Sequence, residues 1–415
     1  MSEEQQESDL KRSISLPFLI FYGLGTMIGG GIYALTGKVA GIAGIYAPAA
    51  FTLSAFLALI TALSFAELAA RFPLSAGEVR YVNAAFARKK FAALIGWMVV
   101  FTGIVSAAAL AHATAGFIQD FVDLPTLLLI ASIVLILGLV AAWGITQSVA
   151  LVTLITLIEI GGLLLIIFTG RHDLATLPTR WPEFIPPIGL HDLAIWSSIF
   201  SGAFLAFYAF IGFEDMVNVA EEVKDVRRSM PLAIIICIIT TLVLFLLVSL
   251  VAVMAVPPDV LAQSNTPMAS IMDHHGSNAP SWLMGLISML ATVNGVLVQM
   301  IMGARVLYGM AKGGEAPTWF GQVHPRTQTP LRATGLVIAM VLVFALLSDL
   351  TTLAKAASAI ILFVFATVNA ALLKLKWSGE ASPHDLFTVP FVLPLSGFII
   401  CSAMLIFALW QTFFG

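Results

Sequence analysis

Residues 13–35 read SISLPFLIFYGLGTMIGGGIYAL, an apolar run interrupted by Gly29, Gly30 and Gly31. Each glycine costs a helix about 1 kcal/mol relative to alanine, and a loosened backbone exposes N–H and C=O groups that lipid cannot satisfy. A break of this kind is tolerated within hydrocarbon only where it lines a polar cavity or is buried in protein. Because apolar residues flank the glycines on both sides, we predict a discontinuous transmembrane helix rather than a surface loop.

A second interrupted run lies at residues 195–220, IWSSIFSGAFLAFYAFIGFEDMVNVA. Here Gly212 is followed by the acidic pair Glu214 and Asp215 within an otherwise apolar segment. Either run alone is also compatible with a buried core helix that uses glycine for close packing. Two such segments at corresponding places in two halves of a chain are typical of transporters whose binding site is built on an internal repeat.

Composition places most of the chain in or against lipid. Hydrophobic residues make up 60% of the 415 residues and charged residues 10%, whereas soluble domains contain about 25% charged residues. Cys237 and Cys401 lie in apolar runs without metal-ligand spacing or a disulfide framework, so no metal and no cofactor are expected. Gly23, Gly25 and Gly29 miss the spacing of a dinucleotide-binding fingerprint, and no nucleic-acid partner is expected.

The hydrophobic runs predict about eleven transmembrane helices, at about 20 apolar residues per span. Their expected limits are 14–35, 47–70, 91–118, 125–143, 147–169, 195–220, 230–255, 281–311, 331–348, 356–375 and 389–413. The polar start MSEEQQESDLKR has none of the features of a secretory signal. We therefore expect residues 1–13 to form a tail and residues 14–415 to form one all-helical membrane domain.

The distribution of lysine and arginine predicts the orientation. With a cytoplasmic N-terminus, only Lys38, Arg171, Arg180 and Lys355 of the 20 basic residues fall on the outer side. The sequence thus predicts a multi-pass protein of the cytoplasmic membrane with its N-terminus inside. An odd number of spans puts the C-terminus outside.

The break in the first span predicts a binding site for a zwitterion. If the outer half-helix begins near Gly31 and Ile32, its free N–H groups and positive dipole end face the cavity and suit a carboxylate. Carbonyl groups at the ends of half-helices can receive an ammonium group. An α-amino acid carries both groups, so it is the substrate that this arrangement favours.

Two carboxylates at membrane depth are candidates for proton coupling, because ionisable residues within membranes are usually functional. Glu214 follows the second break, although it and especially Asp215 are also compatible with a solvated position near the inner surface. Glu159 lies in the middle of the fifth span, where Thr156, Glu159 and Gly162 share one helix face. A proton or cation relay through Glu159 is favoured over a structural hydrogen bond.

The eighth span carries a polar stripe of Ser288, Thr292, Gly295 and Gln299, with Asn294 beside it. Such a stripe either lines a pathway or holds helices together, and the sequence leaves both interpretations open.

Other polar residues within the spans are weaker evidence for a function. His112 is a weaker candidate, and Glu67 is expected to pair with basic residues of the inner loops. The sequence contains no Ser/His/Asp constellation, no paired catalytic carboxylates and no HExxH motif, so an enzyme is not predicted.

Four stretches resemble the amino acid–polyamine–organocation (APC) permeases. GTMIGGGIYALTG, residues 25–37, is similar to their first-helix signature, and AELAARFPLSAGEVRYVNAAF, residues 66–86, to their second span and inner loop. FYAFIGFEDMVNVAEEVKDVRRSMP, residues 207–231, resembles their sixth helix, and ATVNGVLVQMIMGARVLYGMAKGGEAP, residues 291–317, their eighth.

The resemblance implies the inverted-repeat fold of five plus five helices shared with the sodium-coupled leucine transporter. One repeat would span about residues 14–169 and the other about 195–375, with a peripheral helix at 389–413. It further implies that the backbone at both breaks holds the substrate, at Ile28, Gly29, Gly30 and Gly31 and at Ala209, Phe210, Ile211 and Gly212.

The resemblance also gives roles to individual side chains. Tyr208 aligns with an aromatic gate of some members, and Glu214 with a glutamate implicated in pH sensing in bacterial acid-resistance exchangers. Where many relatives carry a lysine in the fifth helix, this chain has Glu159, which would bind a proton, a cation or a cationic substrate.

The function that these patterns favour is secondary amino acid transport by alternating access, with proton symport as the preferred coupling. Obligate exchange of amino acids or amines and polyamine transport are alternatives, because Glu159 and Glu214 would also suit a dication. A non-transporting amino acid sensor belongs to a different class and would need a signalling domain, which the sequence does not show. The expected partners are a small-molecule substrate (an amino acid or amine), protons and the lipid bilayer, and oligomeric state is left open.

Overall fold

A computed structural model describes residues 14–74, 77–119, 121–143, 148–187, 192–275, 280–325, 327, 329–378 and 386–414. The described residues are helical almost throughout, with one isolated parallel bridge between Ile14 and Val223. The helices are α1 Leu16–Ile28, α2 Gly31–Ala43, α3 Ala47–Arg71, α4 Gly77–Phe86, α5 Lys89–Gln119, α6 Thr126–Trp143, α7 Ser148–Thr169, α8 Arg171–Arg180, α9 Leu193–Ala206, α10 Val226–Ala255, α11 Pro258–Gln263, α12 Pro267–His274, α13 Ser281–Gly313, α14 Leu331–Leu347, α15 Leu350–Trp377 and α16 Val392–Phe414.

Long apolar helices confirm an all-helical membrane protein. Eight helical stretches of the described residues are long and apolar enough to cross a membrane, or nine if the bent pair Thr153–Thr169 and Arg171–Phe184 forms one span. One of the eight, Leu16–Arg71, has 56 residues, about 84 Å at 1.5 Å per residue, which is more than two bilayer cores. Helix α14 is apolar too, but with 17 residues it is shorter than each of these eight stretches. The count of eleven crossings stays a prediction, and the tail 1–13 lies outside the described residues.

The first predicted span is two helices joined at its glycines. Helix α1 ends at Ile28, where Gly29 closes it with an N–H bond to the Gly25 carbonyl, and α2 begins at Gly31. Gly30 has φ 96°, in the left-handed region that glycine adopts without strain. Helix α2 continues to Ala43 rather than ending at the expected residue 35.

The C-terminal half of α2 shows the reason for this difference. Lys38 interrupts the apolar pattern, yet its Nζ donates to the Ala262 carbonyl at 2.7 Å. A lysine stem can lie along apolar surface while its ammonium group finds a polar partner, so the charge does not end the helix.

The sixth predicted span is also irregular. Helix α9 passes into 3₁₀ helix at Phe207–Phe210, Ile211 is extended, and 3₁₀ helix resumes at Glu214–Glu222. Gly212, between the two 3₁₀ segments, has φ 134°. Helix α10 then follows at Val226 and packs against α3.

The broken helices lie inside the bundle, and α16 lies at its edge. Helix α13 packs on α5 and α10 on α3, while α16 packs on α15 and α3. Glu67, fully buried on α3, accepts from Lys376 Nζ at 2.8 Å and from the Val389 N–H at 2.7 Å, and also contacts Arg71. The pairing expected for Glu67 is thus present, and it joins α3, α15 and the segment before α16.

Candidate functional site

The two breaks pack directly against each other. Thr26, near the end of α1, donates its hydroxyl proton to the Gly212 carbonyl at 2.9 Å. A Cβ added to Gly31 would lie 2.8 Å from the Ala209 Cα, which is closer than carbon atoms approach without strain. Gly31 and Gly212 therefore allow the unwound backbone of one helix to contact the unwound backbone of the other.

The start of α2 leaves backbone donors without helical acceptors. The first bond of this helix runs from the Ala34 N–H to the Gly30 carbonyl at 2.9 Å. The N–H groups of Gly31, Ile32 and Tyr33 precede that bond and are the unpaired donors of a helix N-terminus. They suit a carboxylate, as the sequence predicts.

A small cavity lies where the two breaks meet. Its volume is about 20 Å³, enough for one or two water molecules. The two broken spans, α5 and α13 line it, through Thr26, Met27, Gly29, Gly31, Ser106, Leu110, Tyr208, Ile211, Gly295, Val298 and Gln299.

Some of the residues predicted to bind substrate line this cavity and others do not. Gly29, Gly31, Tyr208 and Ile211 line it. The remaining predicted residues are buried around the breaks but are not part of its lining: Ile28, Gly30, Ile32, Ala209, Phe210 and Gly212.

Two lining residues on α5 are not predicted from the sequence. The Ser106 carbonyl accepts a hydrogen bond of 2.9 Å from the Tyr208 hydroxyl, and Leu110 lies one turn further along the helix. The run of small residues at 106–109, SAAA, is the signal that could have pointed to them, since small residues let helices approach closely.

Glu159 lies across the break of the first helix. Tyr33, on α2, donates its hydroxyl proton to the Glu159 carbonyl, and Thr156 donates to the Phe21 carbonyl of α1 at 3.3 Å. Helix α7 thus contacts both halves of the broken helix. The Glu159 side chain is fully buried, and Asn294 Nδ2 donates to its Oε1 at 3.4 Å. Its Oε2 has no hydrogen-bond partner among the described residues.

Glu214 and Asp215 are buried, at 3% and 6% exposure, rather than solvated. Glu214 Oε2 accepts from the Gly212 N–H at 2.8 Å, so this carboxyl caps the second break. Asp215 Oδ2 accepts from Gln299 Nε2 at 3.2 Å. Because Gln299 also lines the cavity, Asp215 is one side chain removed from it.

The polar stripe of α13 divides into two groups. Gly295 and Gln299 line the cavity. Ser288, Thr292 and Asn294 are buried outside its lining, and the Thr292 hydroxyl bonds to the Ser288 carbonyl of its own helix at 3.0 Å.

Other candidate chemistry is absent from the described part of the chain. No group of His, Cys, Asp or Glu within it has a metal-binding arrangement. His112 Nε2 contacts the Ala345 carbonyl at 2.7 Å, a contact between α5 and α14 away from the cavity. The chemistry of this site is therefore that of backbone dipoles, neutral polar side chains and buried carboxyls.

Comparisons with known proteins identify a family of amino acid permeases. Residues 14–414 match the family model described as amino acid permease. The branched-chain amino acid permease BcaP of Bacillus subtilis (strain 168) is 27% identical, over 98% of this chain and 90% of its own length. The uncharacterized transporter Rv1999c of Mycobacterium tuberculosis (strain ATCC 25618 / H37Rv) is 31% identical, over 97% of this chain and 87% of its own length.

Longer relatives match as well. The cationic amino acid transporter 4 of Homo sapiens is 28% identical over 93% of this chain. The match covers 63% of that protein, so the chain spans less than two thirds of its length. The apolar helical architecture agrees with the leucine-transporter-like fold expected of these families. With the family match extending over nearly its whole length, the chain belongs to the amino acid permease family of the amino acid–polyamine–organocation superfamily.

Proposed function

We propose that this chain moves an amino acid across the cytoplasmic membrane by alternating access and that a proton accompanies the substrate. The observation that carries the proposal is the meeting of two broken helices at a cavity, with the free N–H groups of α2 beside it. Backbone dipoles at such a break recognise the carboxylate and ammonium groups that all α-amino acids share.

The cavity lining favours a neutral amino acid with an apolar side chain. Met27, Leu110, Ile211 and Val298 supply apolar surface, and the polar lining residues are uncharged. A relative named as a branched-chain amino acid permease agrees with this choice. A cationic amino acid is the second candidate, because Asp215 lies directly behind Gln299 and because other relatives are named cationic amino acid transporters.

The size of the cavity and the contacts that hold the broken helices support the proposal of alternating access. A volume of about 20 Å³ holds water but not an amino acid, so the helices around it must separate to admit substrate. The Ile14 N–H donates to the Glu222 carbonyl at 3.0 Å, and the Lys224 N–H donates to the Ile14 carbonyl at 2.9 Å. This bridge joins the start of α1 to the end of the sixth span, so inward opening must break it.

Proton coupling is proposed for Glu159. Burying an uncompensated carboxylate costs several kcal/mol, and no ion pair of the described residues includes Glu159. A bound proton removes that charge while the site is closed. Movement of α1 on inward opening would break the contact between Thr156 and the Phe21 carbonyl and expose the Glu159 carboxyl to cytoplasmic water, where it releases its proton.

The test is uptake into proteoliposomes of labelled leucine, alanine, arginine and putrescine, with and without an inward proton gradient. We expect the gradient to stimulate leucine uptake in the wild type and not in Glu159→Gln. The matched control is Glu183→Gln, which removes a half-exposed carboxylate of an outer ion pair. Uptake that ignores the gradient and requires internal substrate would make the protein an exchanger and refute the coupling. Preference for arginine would favour the second candidate substrate.

A further inference from the structure

Helix α4 covers the inner half of the broken sixth span. It lies between α3 and α5, outside the membrane-spanning helices. A Cβ added to Gly77 would lie 2.7 Å from Val217 Cγ2, so the start of α4 contacts the 3₁₀ segment Glu214–Glu222 closely. Phe65 of α3 makes edge-to-face contacts with both Tyr81 and Phe213. An inner opening that moves this segment away from α3 would separate it from α4 as well.

Glu78 is buried at this contact with an unsatisfied carboxyl oxygen. The residue is 1% exposed, and its Oε1 has no hydrogen-bond partner among the described residues. The hydroxyl of Tyr81, which interacts electrostatically with Glu78, is also buried and has no hydrogen-bond partner there. Buried polar groups without partners call for an explanation, such as a bound water molecule, an ion or a proton on the carboxyl.

Glu78 belongs to a buried cluster of three acidic side chains. Asp215 acts electrostatically on Glu78, and Glu78 on Glu214. Glu214 and Asp215 are bonded to neutral donors, the Gly212 N–H and the Gln299 amide. None of the three acidic residues takes part in an ion pair of the described residues.

Basic groups on the neighbouring elements are engaged elsewhere or lie in solvent. Arg71 and Lys376 contact Glu67, and Lys374 lies over the Phe86 ring at 4.8 Å. The neighbouring elements are α4, the start of α5, the end of the sixth span and α13. Their other basic residues are all exposed, namely Arg80, Arg88, Lys89, Lys90, Lys224, Arg305 and Lys312.

Like charges that are buried together cannot all be ionised cheaply. Burial raises the pKa of Glu78 to about 8, opposed by a backbone hydrogen bond and assisted by the Asp215 charge. A bound metal ion explains the acidic cluster less well than a proton, because the described residues contain no group of His, Cys, Asp or Glu arranged to hold a metal.

We propose that Glu78 binds a proton at the inner mouth of the transporter, and that this proton neutralises the acidic cluster while α4 is docked on the sixth span. When the contact opens, the Glu78 carboxyl meets cytoplasmic water and releases the proton there. This inference rests on the proposed function for its role in transport, but proton binding by Glu78 is measurable without any transport.

The experiment is infrared difference spectroscopy of the purified protein in detergent, titrated from about pH 6 to about pH 10, where the carbonyl stretch of a protonated carboxyl is resolved from that of a carboxylate. We expect the wild type to lose a protonated-carboxyl band near pH 8. Glu78→Gln should lack that component, whereas Glu183→Gln should retain it. A wild-type spectrum without such a band, or a band unchanged in Glu78→Gln, would overturn the proposal.

Two further readouts keep the outcome unambiguous. If Glu78→Gln does not fold, Glu78→Ala is measured instead, and a band that titrates as in the wild type would equally refute the assignment. If the band vanished on adding sodium at constant pH, the site would take a monovalent cation and the proposal would be wrong. Failure of proton-driven uptake with the band intact would count against the proposed function and leave this assignment standing.

Discussion

Substituting Gly31 by alanine tests the contact between the two breaks. The added Cβ would lie 2.8 Å from the Cα and 3.2 Å from the Cβ of Ala209. Carbon atoms in contact are about 3.5–4.0 Å apart, so the two backbones must separate by about 1 Å. Neither atom belongs to a flexible side chain, and rotamer changes cannot relieve the overlap. Gly31 is a helical residue, so alanine imposes no conformational strain of its own.

The cost falls on the closed conformation, in which Gly31 and Ala209 touch. Overpacking of this kind costs about 1–3 kcal/mol, which corresponds to an equilibrium shift of about 5- to 150-fold. Because the proposed substrate site can admit substrate only when the helices separate, destabilising the closed conformation should strengthen the apparent substrate affinity by up to that factor while the protein remains folded.

Binding of labelled substrate to detergent-purified protein measures this effect, with thermal stability followed in parallel. Gly161→Ala is the matched control: it lies on α7, and an added Cβ would meet nothing within 4 Å. It should leave affinity unchanged. Wild-type affinity in Gly31→Ala would refute the conclusion that the two breaks must separate before substrate binds.

Three further predictions concern single side chains. Glu67→Gln leaves two cations without their buried partner and should lower stability by about 3–5 kcal/mol, seen as a reduced melting temperature that Glu183→Gln does not reproduce. Tyr208→Phe removes the bond to the Ser106 carbonyl, worth about 0.5–1.5 kcal/mol, and should slow uptake about 2- to 10-fold; unchanged uptake would contradict a role in closing the cavity. The pKa of Glu78 is raised to about 8 on folding, so the folded state binds more protons than the unfolded chain and stability is lost as pH rises through that value. The melting temperature should therefore fall between about pH 6 and pH 9 in the wild type and fall less in Glu78→Gln; equal falls would contradict the assignment.

The breaks could be predicted from sequence because consecutive glycines destabilise a helix wherever they stand, and hydrocarbon tolerates a loosened backbone only inside protein or beside a cavity. The conformation and the contacts of each individual glycine could not be predicted. Gly29, Gly30 and Gly31 are chemically identical, yet only Gly30 takes a left-handed φ. Gly30 faces Thr292 of α13, whereas Gly31 faces Ala209. These assignments depend on contacts between residues far apart in the chain.

Other residues of the site could not be predicted from sequence for the same reason. Ser106 and Leu110 look like ordinary residues of an apolar helix until α5 is placed beside the breaks. Glu78 looks like a polar residue of an inner loop, and nothing local indicates that α4 buries it against the sixth span. Glu159 could be found from sequence, because a lone carboxylate within about twenty apolar residues is costly wherever it faces.

Proton-coupled transport can be tested by measuring proton movement with no imposed pH gradient. Proteoliposomes containing a pH-sensitive dye are given leucine outside only. Because coupling is reciprocal, an inward leucine gradient should acidify the lumen in the wild type and in Glu183→Gln, and not in Glu159→Gln. Leucine entry without acidification of wild-type vesicles would contradict proton symport.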